Sequence, residues 1–397
     1  MVGLHLIIGR AGTGKTYKCL ENIRQEIRRD PLGKPLILCV PEQSTHQMEL
    51  SLVHNSESQG ILRAQVLSFQ RLGWRVFAET GGGLEPLIGD IGKRMILRRL
   101  LLKYRQELRV FARTATKPGM ADLLARTIGE LKTYQIDAQD LLIDHEDHRL
   151  KEKVHELAFL YEEFNRSIPP NMRDRDEELD LVAERIPASP SLQGAKIWLD
   201  GFKGFTPQEI SIIESLLTTA SEVTITLTLE PKVITGKRGG TFRPGEEIFW
   251  DSYQTYQTLV KMAQNHNLPI KIDYLTELKR FQHPALEHLE KYYTLYPTQV
   301  YSGDLQKDTD EDGLGIKLLA GANKRAEVEA VACTIRRLVR EKGKRWRDIV
   351  VVTRDLAGYE DYLEQIFKTY EIPYFLDHKP PIKNHPLLEL LNSLIEL

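Results

Sequence analysis

Apolar residues come in two rhythms along the first part of the chain. Residues 4–8 form a short continuous apolar run ending at a glycine, the pattern of a strand buried on both faces of a parallel sheet. A glycine-rich turn follows, and a helical period over residues 15–29 comes next. Residues 35–40 predict a second buried strand, 43–53 a helix and 64–69 a third strand. Strand, helix, strand, helix, strand is the order of a parallel sheet covered by helices.

Three glycines at 81–83 break that order, and residues 90–185 are almost wholly helical in period. Strands return at 196–200 and 223–229, so the helical stretch reads as an insertion into the first α/β domain. Residues 231–244 form a loop that carries Lys237, Arg238, Gly239 and Gly240, and 301–315 are polar, acidic and linker-like. Beyond them the α/β rhythm resumes, with strands predicted at 315–319, 348–353 and 372–376 and helices at 324–340 and up to about 370. The apolar helix at 386–397 has neither cap nor tail, which predicts a second α/β domain cut short. The expected domains are therefore 1–85 with 190–300, the helical insert 86–189, and 313–397.

Composition narrows the classes. Hydrophobic residues make up 41% and charged residues 28% of the chain, which suits packed globular cores. The net charge of −2 supplies no global field for nucleic acid, so any such contact must be local. Cys19, Cys39 and Cys333 are too scattered for a disulfide framework, a zinc site or an iron–sulfur cluster, and they fit a reducing cytoplasm. No apolar run reaches the ~18–20 residues of a membrane span. The start of the chain enters a strand directly, with no signal-peptide pattern.

The segment Gly9, Arg10, Ala11, Gly12, Thr13, Gly14, Lys15 and Thr16 has the G-x-x-x-x-G-K-T spacing of a phosphate-binding loop. Glycines let successive amides curl toward phosphate oxygens, and the following helix adds the positive end of its dipole. In that arrangement Lys15 reaches the β- and γ-phosphates of ATP, and the Thr16 hydroxyl meets Mg²⁺. The second magnesium-binding feature of such folds, an apolar strand ending in Asp, is matched by Ile197, Trp198, Leu199 and Asp200. Motors follow that Asp with a water-activating Glu, but here Gly201 follows, and Glu209 reads as the capping-box partner of Thr206. The Gly-Asp and Gln expected after strand 223–229 in a motor are missing. Binding with weak or no hydrolysis is expected.

Three further segments carry a family resemblance. They are Val40-Pro41-Glu42-Gln43-Ser44-Thr45-His46-Gln47-Met48-Glu49, Val66-Leu67-Ser68-Phe69-Gln70-Arg71-Leu72, and Asp200-Gly201-Phe202-Lys203-Gly204-Phe205-Thr206-Pro207-Gln208-Glu209. With the glycine loop, they resemble AddB, a family of bacterial AddAB-type helicase–nucleases. The resemblance implies a RecA-like P-loop domain of the superfamily 1 helicase kind, interrupted by a helical subdomain and followed by the start of a second RecA-like domain. It implies an AddA-type partner that serves as the motor, and double-strand-break ends as substrate. It also implies a retired helicase core that scans single-stranded DNA for Chi. The family's nuclease and its cysteine-ligated iron–sulfur cluster belong to a C-terminal region beyond this chain. Gln43, Thr45, Phe69, Arg71, Trp74 and Phe205 are the implied DNA contacts, with Phe202 a further one. For the aromatics among them, ordinary core packing is the alternative.

Two other features are open. Lys93, Arg94, Arg98, Arg99, Lys103, Arg105, Arg109, Arg113 and Lys117 stand against one acid, Glu107. They suit nucleic-acid phosphates, or a solvated face paired with the acids of 174–180. Asp144, His145, Glu146, Asp147 and His148 lack a convincing ligand spacing and suit a helix start. Active helicase and small-molecule kinase are the rival functions. Gly201 weighs against the first, and the helical insert with its second α/β region against the second.

Overall fold

The computed structural model describes residues 3–54, 63–83, 85–142, 147–235, 248–281, 283–295, 297–303, 316–377 and 385–396. Lys237, Arg238, Gly239 and Gly240 and the linker 304–315 lie outside the described residues, as do Asp144, His145 and Glu146. The chain divides into two units, Met1–Tyr301 and Ser302–Leu397.

In the first unit six strands make one sheet: β1 (Leu4–Gly9), β2 (Leu36–Cys39), β3 (Ala64–Leu67), β4 (Lys196–Leu199), β5 (Glu222–Thr228) and β6 (Ile270–Leu275). Their order is β3-β2-β4-β5-β1-β6, and every pairing is parallel. The chain is thus α/β, in keeping with a RecA-like arrangement. Side chains alternate across the pleat. Leu6, Ile8, Ile37, Cys39, Ile197 and Leu199 enter one core, while Ile7, Leu36, Leu38 and Trp198 enter the other. Helices α1 (Lys15–Arg29) and α2 (Thr45–His54) cover the second face through Cys19, Leu20, Ile23 and Leu52. The first face receives α3 (Phe69–Thr80) and its neighbours. Burying both faces explains the unbroken apolar runs of the central strands.

The sequence pattern predicts residue 69 in a strand. Instead β3 stops at Leu67, and Ser68 caps α3 by accepting a bond from the Arg71 amide at 3.3 Å. A Ser side chain that satisfies a free helix amide outweighs the β preference of one aromatic residue. Strand β6 has no counterpart in the predicted elements.

Helices α4 (Asp90–Lys103), α5 (Pro118–Thr133) and α6 (His148–Ser167) share a core of their own, which includes Leu97, Leu101, Leu124, Leu160 and Phe164. Two buried ammonium groups join α4 and α5 to the segment before α7 (Glu178–Arg185). Lys93 reaches Asp174 at 2.7 Å and also pairs with Asp176. Lys132 reaches Asp174 at 2.7 Å and Glu177 at 2.6 Å. Asp174 is wholly buried; burial opposes its charge, but the two lysines still hold its carboxyl below the ordinary range. The basic stretch is therefore partly committed inside the fold: Arg94 pairs with Asp122 and Arg109 with Glu152. Asp147 caps α6 through the Arg149 amide at 2.9 Å.

In the second unit α8 (Lys324–Lys342) packs on α9 (Glu360–Thr369) through Val328, Ala332, Leu363, Ile366 and Phe367. The described residues of the three predicted strands form no ladder. Leu318, Val350 and Val352 stand in solvent, as apolar extended segments do when no neighbouring strand pairs their amides. An apolar helix, α10 (Pro386–Glu396), follows. No helix among the described residues is long and apolar enough to cross a membrane.

Removing one member of a buried ion cluster strands the others. Asp174→Ala is expected to destabilise the first unit by about 3–5 kcal/mol, measured by denaturant unfolding. A loss under about 1 kcal/mol would mean that water already solvates both lysines.

Candidate functional site

In a parallel sheet the carboxyl ends of all strands open on one edge, and ligand crevices form there. The end of β1 leads into residues 9–16. Gly14 takes φ 88°, a left-handed conformation open to glycine, and stands at the N-cap of α1 with no side chain bonded to the free amides. Lys15 opens that helix. Its ammonium donates to the carbonyls of Gly9 at 2.8 Å and Arg10 at 2.9 Å. The Thr13 hydroxyl donates to the same Arg10 carbonyl at 2.9 Å. Burial pushes the Lys15 pKa down to about 8; Asp200 and Glu290 resist the shift and Arg280 adds to it.

Asp200 follows β4, is 4% exposed, and accepts the Thr226 hydroxyl at 2.6 Å. Because β5 lies between β4 and β1, Asp200 and Lys15 come to the same part of the edge, close enough for their charges to interact. Thr16, one residue further along α1, has no bond that defines its role. Gly201 takes φ +83°. A glutamate at that position is strained as the backbone stands. Glu209 is occupied elsewhere: Thr206 and Glu209 close a capping box, with the Thr206 amide on the carboxylate at 2.8 Å and the Glu209 amide on the hydroxyl at 3.3 Å. Burial raises the Glu209 carboxyl above its ordinary range.

Contacts that the sequence pattern does not reveal surround the loop. The Arg10 guanidinium pairs with Glu230 at 2.9 Å and Glu290 at 3.0 Å and lies 5.3 Å from the Phe249 ring centre. These partners are 220 and 280 residues away in sequence, so local pattern held no sign of them.

The other predicted residues lie along the ends of β2, β3 and β4. Phe69 is 6% exposed, and its ring packs 5.3 Å from Phe202 and 6.2 Å from Phe205; those two are 5.1 Å apart. Phe202 and Phe205 remain half-buried. Thr45 is buried, with its hydroxyl on the Glu42 carbonyl at 2.9 Å. Gln43 is exposed, and Trp74 is 55% exposed. Arg71 pairs with Glu42 at 3.1 Å on the surface. The structure thus joins Arg71 to Glu42 and Phe69 to Phe202 and Phe205, and it leaves Gln43 and Trp74 facing solvent.

Comparison with known proteins agrees with this arrangement. A family described as "ADDB, N-terminal" matches residues 6–290. The AddB protein of Desulfitobacterium hafniense (strain Y51), named as part of an ATP-dependent helicase/deoxyribonuclease, is 56% identical over 398 residues, covering 100% of this chain and 32% of that protein. Its namesakes from Desulforudis audaxviator and Moorella thermoacetica are 41% and 39% identical, each covering 100% of this chain and 34% of their own length. The chain spans about a third of the length of these curated relatives.

The buried lysine has a pH signature. Its folded pKa lies near 8 and its ordinary value is 10.5, so between these the unfolded chain binds more protons. The cost of the buried ammonium is complete below pH 8 and fades as pH rises through that window. Thermal unfolding of the parent and Lys15→Ala, from about pH 7 to about pH 9.5, is expected to shift in favour of the parent as pH rises. A pH-independent difference would contradict the burial.

Proposed function

Since the chain belongs to the AddB N-terminal family, we propose that it is the helicase-like part of a protein that binds ATP with Mg²⁺ and holds single-stranded DNA, with weak or no motor activity of its own. The observation that carries this reading is the grouping of Lys15, the uncapped amides of α1 and Asp200 at one point of the sheet edge, beside a Gly201 whose backbone disfavours a catalytic glutamate.

The donors suit a magnesium nucleotide. Loop amides and the α1 dipole offer positive potential to phosphates. Lys15 would exchange its bonds to two carbonyls for phosphate oxygens, and Thr16 and Asp200 would hold the cation. The bound ion neutralises phosphate charge. Losing a water-activating base typically lowers a rate by about 10²–10⁴, which favours a nucleotide that is held over one that is turned over.

The single strand would run along the ends of β2, β3 and β4. Trp74 and the half-buried faces of Phe202 and Phe205 offer stacking surfaces, each worth roughly 1–3 kcal/mol per base. Gln43 and Arg71 offer hydrogen bonds to bases or phosphates, Arg71 by leaving Glu42. Phe69 would support these rings from beneath, and Thr45 would brace the turn that presents Gln43. In the complete assembly, a heterodimer with an AddA-type motor, these residues would take part in Chi recognition during the processing of broken duplex ends for recombination in the cytoplasm. Nuclease chemistry and the iron–sulfur cluster would lie in the rest of the AddB protein.

The test is equilibrium binding to the chain and its variants. Lys15→Ala is expected to abolish Mg-ATP binding and leave the fold intact; undiminished affinity would contradict the phosphate-loop assignment. Arg71→Ala and Trp74→Ala are expected to weaken single-stranded DNA binding several-fold each, with Mg-ATP binding unchanged. Normal DNA binding in both would place the strand elsewhere. Phe69→Ala is a poorer probe, because deleting a buried ring costs about 3–5 kcal/mol in core packing.

A further inference from the structure

The segment that follows β6 crosses the outside of the phosphate loop. Its backbone is attached there: the amides of Lys279 and Arg280 both donate to the Gly12 carbonyl, at 2.9 and 3.1 Å. Gly12 takes φ +82°, and a Cβ on it would stand 2.9 Å from the Phe281 ring and 3.2 Å from the Arg280 Cβ. Further on, helix Pro284–Tyr292 brings Glu290 back to Arg10. The loop is thus held from one side by residues that lie some 270 positions later (Gly12 to Arg280 spans 280 − 12 = 268).

The cations of this corner differ in how well they are matched. Arg10 lies between Glu230 and Glu290, and Lys279 is 3.8 Å from Glu277. Lys15 rests on carbonyl oxygens. Arg280 is exposed, and among the described residues no carboxylate pairs with its guanidinium. Its charge nevertheless acts on the Lys15 ammonium and helps to lower that group's pKa. Two like charges brought together at a partly dry site are unfavourable until an anion arrives between them. A phosphate group is such an anion, and a guanidinium recognises it with two parallel donors.

We propose that Arg280 is a second phosphate ligand, which binds the terminal phosphate of a nucleoside triphosphate held by the loop and so makes the site prefer triphosphate over diphosphate. This rests on the phosphate-loop reading of residues 9–16. Lys15 by its place in the motif serves the β- and γ-phosphates, and Arg280 approaches from the side of the loop opposite the body of the sheet. Its backbone bond to Gly12 positions it and survives replacement of the side chain.

The experiment is equilibrium binding of Mg-ATP and Mg-ADP to the chain, to Arg280→Ala, Arg280→Gln and Arg280→Lys, and to Lys15→Ala. Loss of a charged hydrogen-bond partner is expected to weaken ATP by about tenfold or more in the Ala and Gln variants. ADP should change less than about threefold, and Lys should retain part of the ATP affinity as a point charge. The glutamine variant keeps much of the side-chain stem, so agreement between it and the alanine variant separates charge from packing. Equal effects on ATP and ADP, or none on either, would overturn the assignment of Arg280. That outcome leaves the phosphate loop standing if Lys15→Ala still loses both nucleotides. If the parent binds neither, or Lys15→Ala binds both normally, the loop reading fails and the Arg280 proposal fails with it.

Discussion

The order of strands in one parallel sheet decides what this chain can bind. Placing β5 between β1 and β4 brings the glycine loop and Asp200 to the same edge, where a buried ammonium and a buried carboxylate influence each other. Neither charge is stable in an apolar interior alone. Lys15 is supported by two loop carbonyls and Asp200 by the Thr226 hydroxyl. The apolar runs of the central strands matter chiefly because they hold that edge rigid from both faces.

Two surfaces share the edge. One, at the ends of β1, β4 and β5, carries the features of a phosphate site. The other, at the ends of β2, β3 and β4, carries three mutually packed phenylalanines with Arg71 and Trp74 nearby. Strand β4 serves both, since Asp200 is followed within five residues by Phe202 and Phe205. A shift at Asp200 on nucleotide binding therefore has a short covalent route to the aromatic cluster. Gly201, between them, takes φ +83° and turns the chain from one surface toward the other. The same conformation disfavours the side chain that a motor needs at that position.

Much of this was legible in the sequence where the signal is local. The loop spacing, the buried runs of β1 to β5 and the Thr206–Glu209 capping box each depend on residues a few positions apart. The rest depends on distance. Strand β6 alternates apolar and polar residues as Ile270, Lys271, Ile272 and Asp273, because it closes the sheet at an edge and is only half-buried. The carboxylates on Arg10 and the unmatched charge of Arg280 appear only once the sheet is assembled. Phe69 was misplaced because an aromatic after an apolar run suits a strand, and Ser68 was not weighed as a cap. The second unit failed for another reason: Val350 and Val352 have strand-forming side chains, but a ladder needs a partner, and none occurs among the described residues.

The account's central claim is that this edge holds a nucleotide without turning it over. Steady-state ATP hydrolysis by the chain, with and without single-stranded DNA, measured beside equilibrium binding of labelled ATP, tests it most directly. Saturable binding with no DNA-stimulated turnover is the predicted result. Strong DNA-stimulated turnover would mean that another carboxylate activates water despite Gly201, and would contradict the claim.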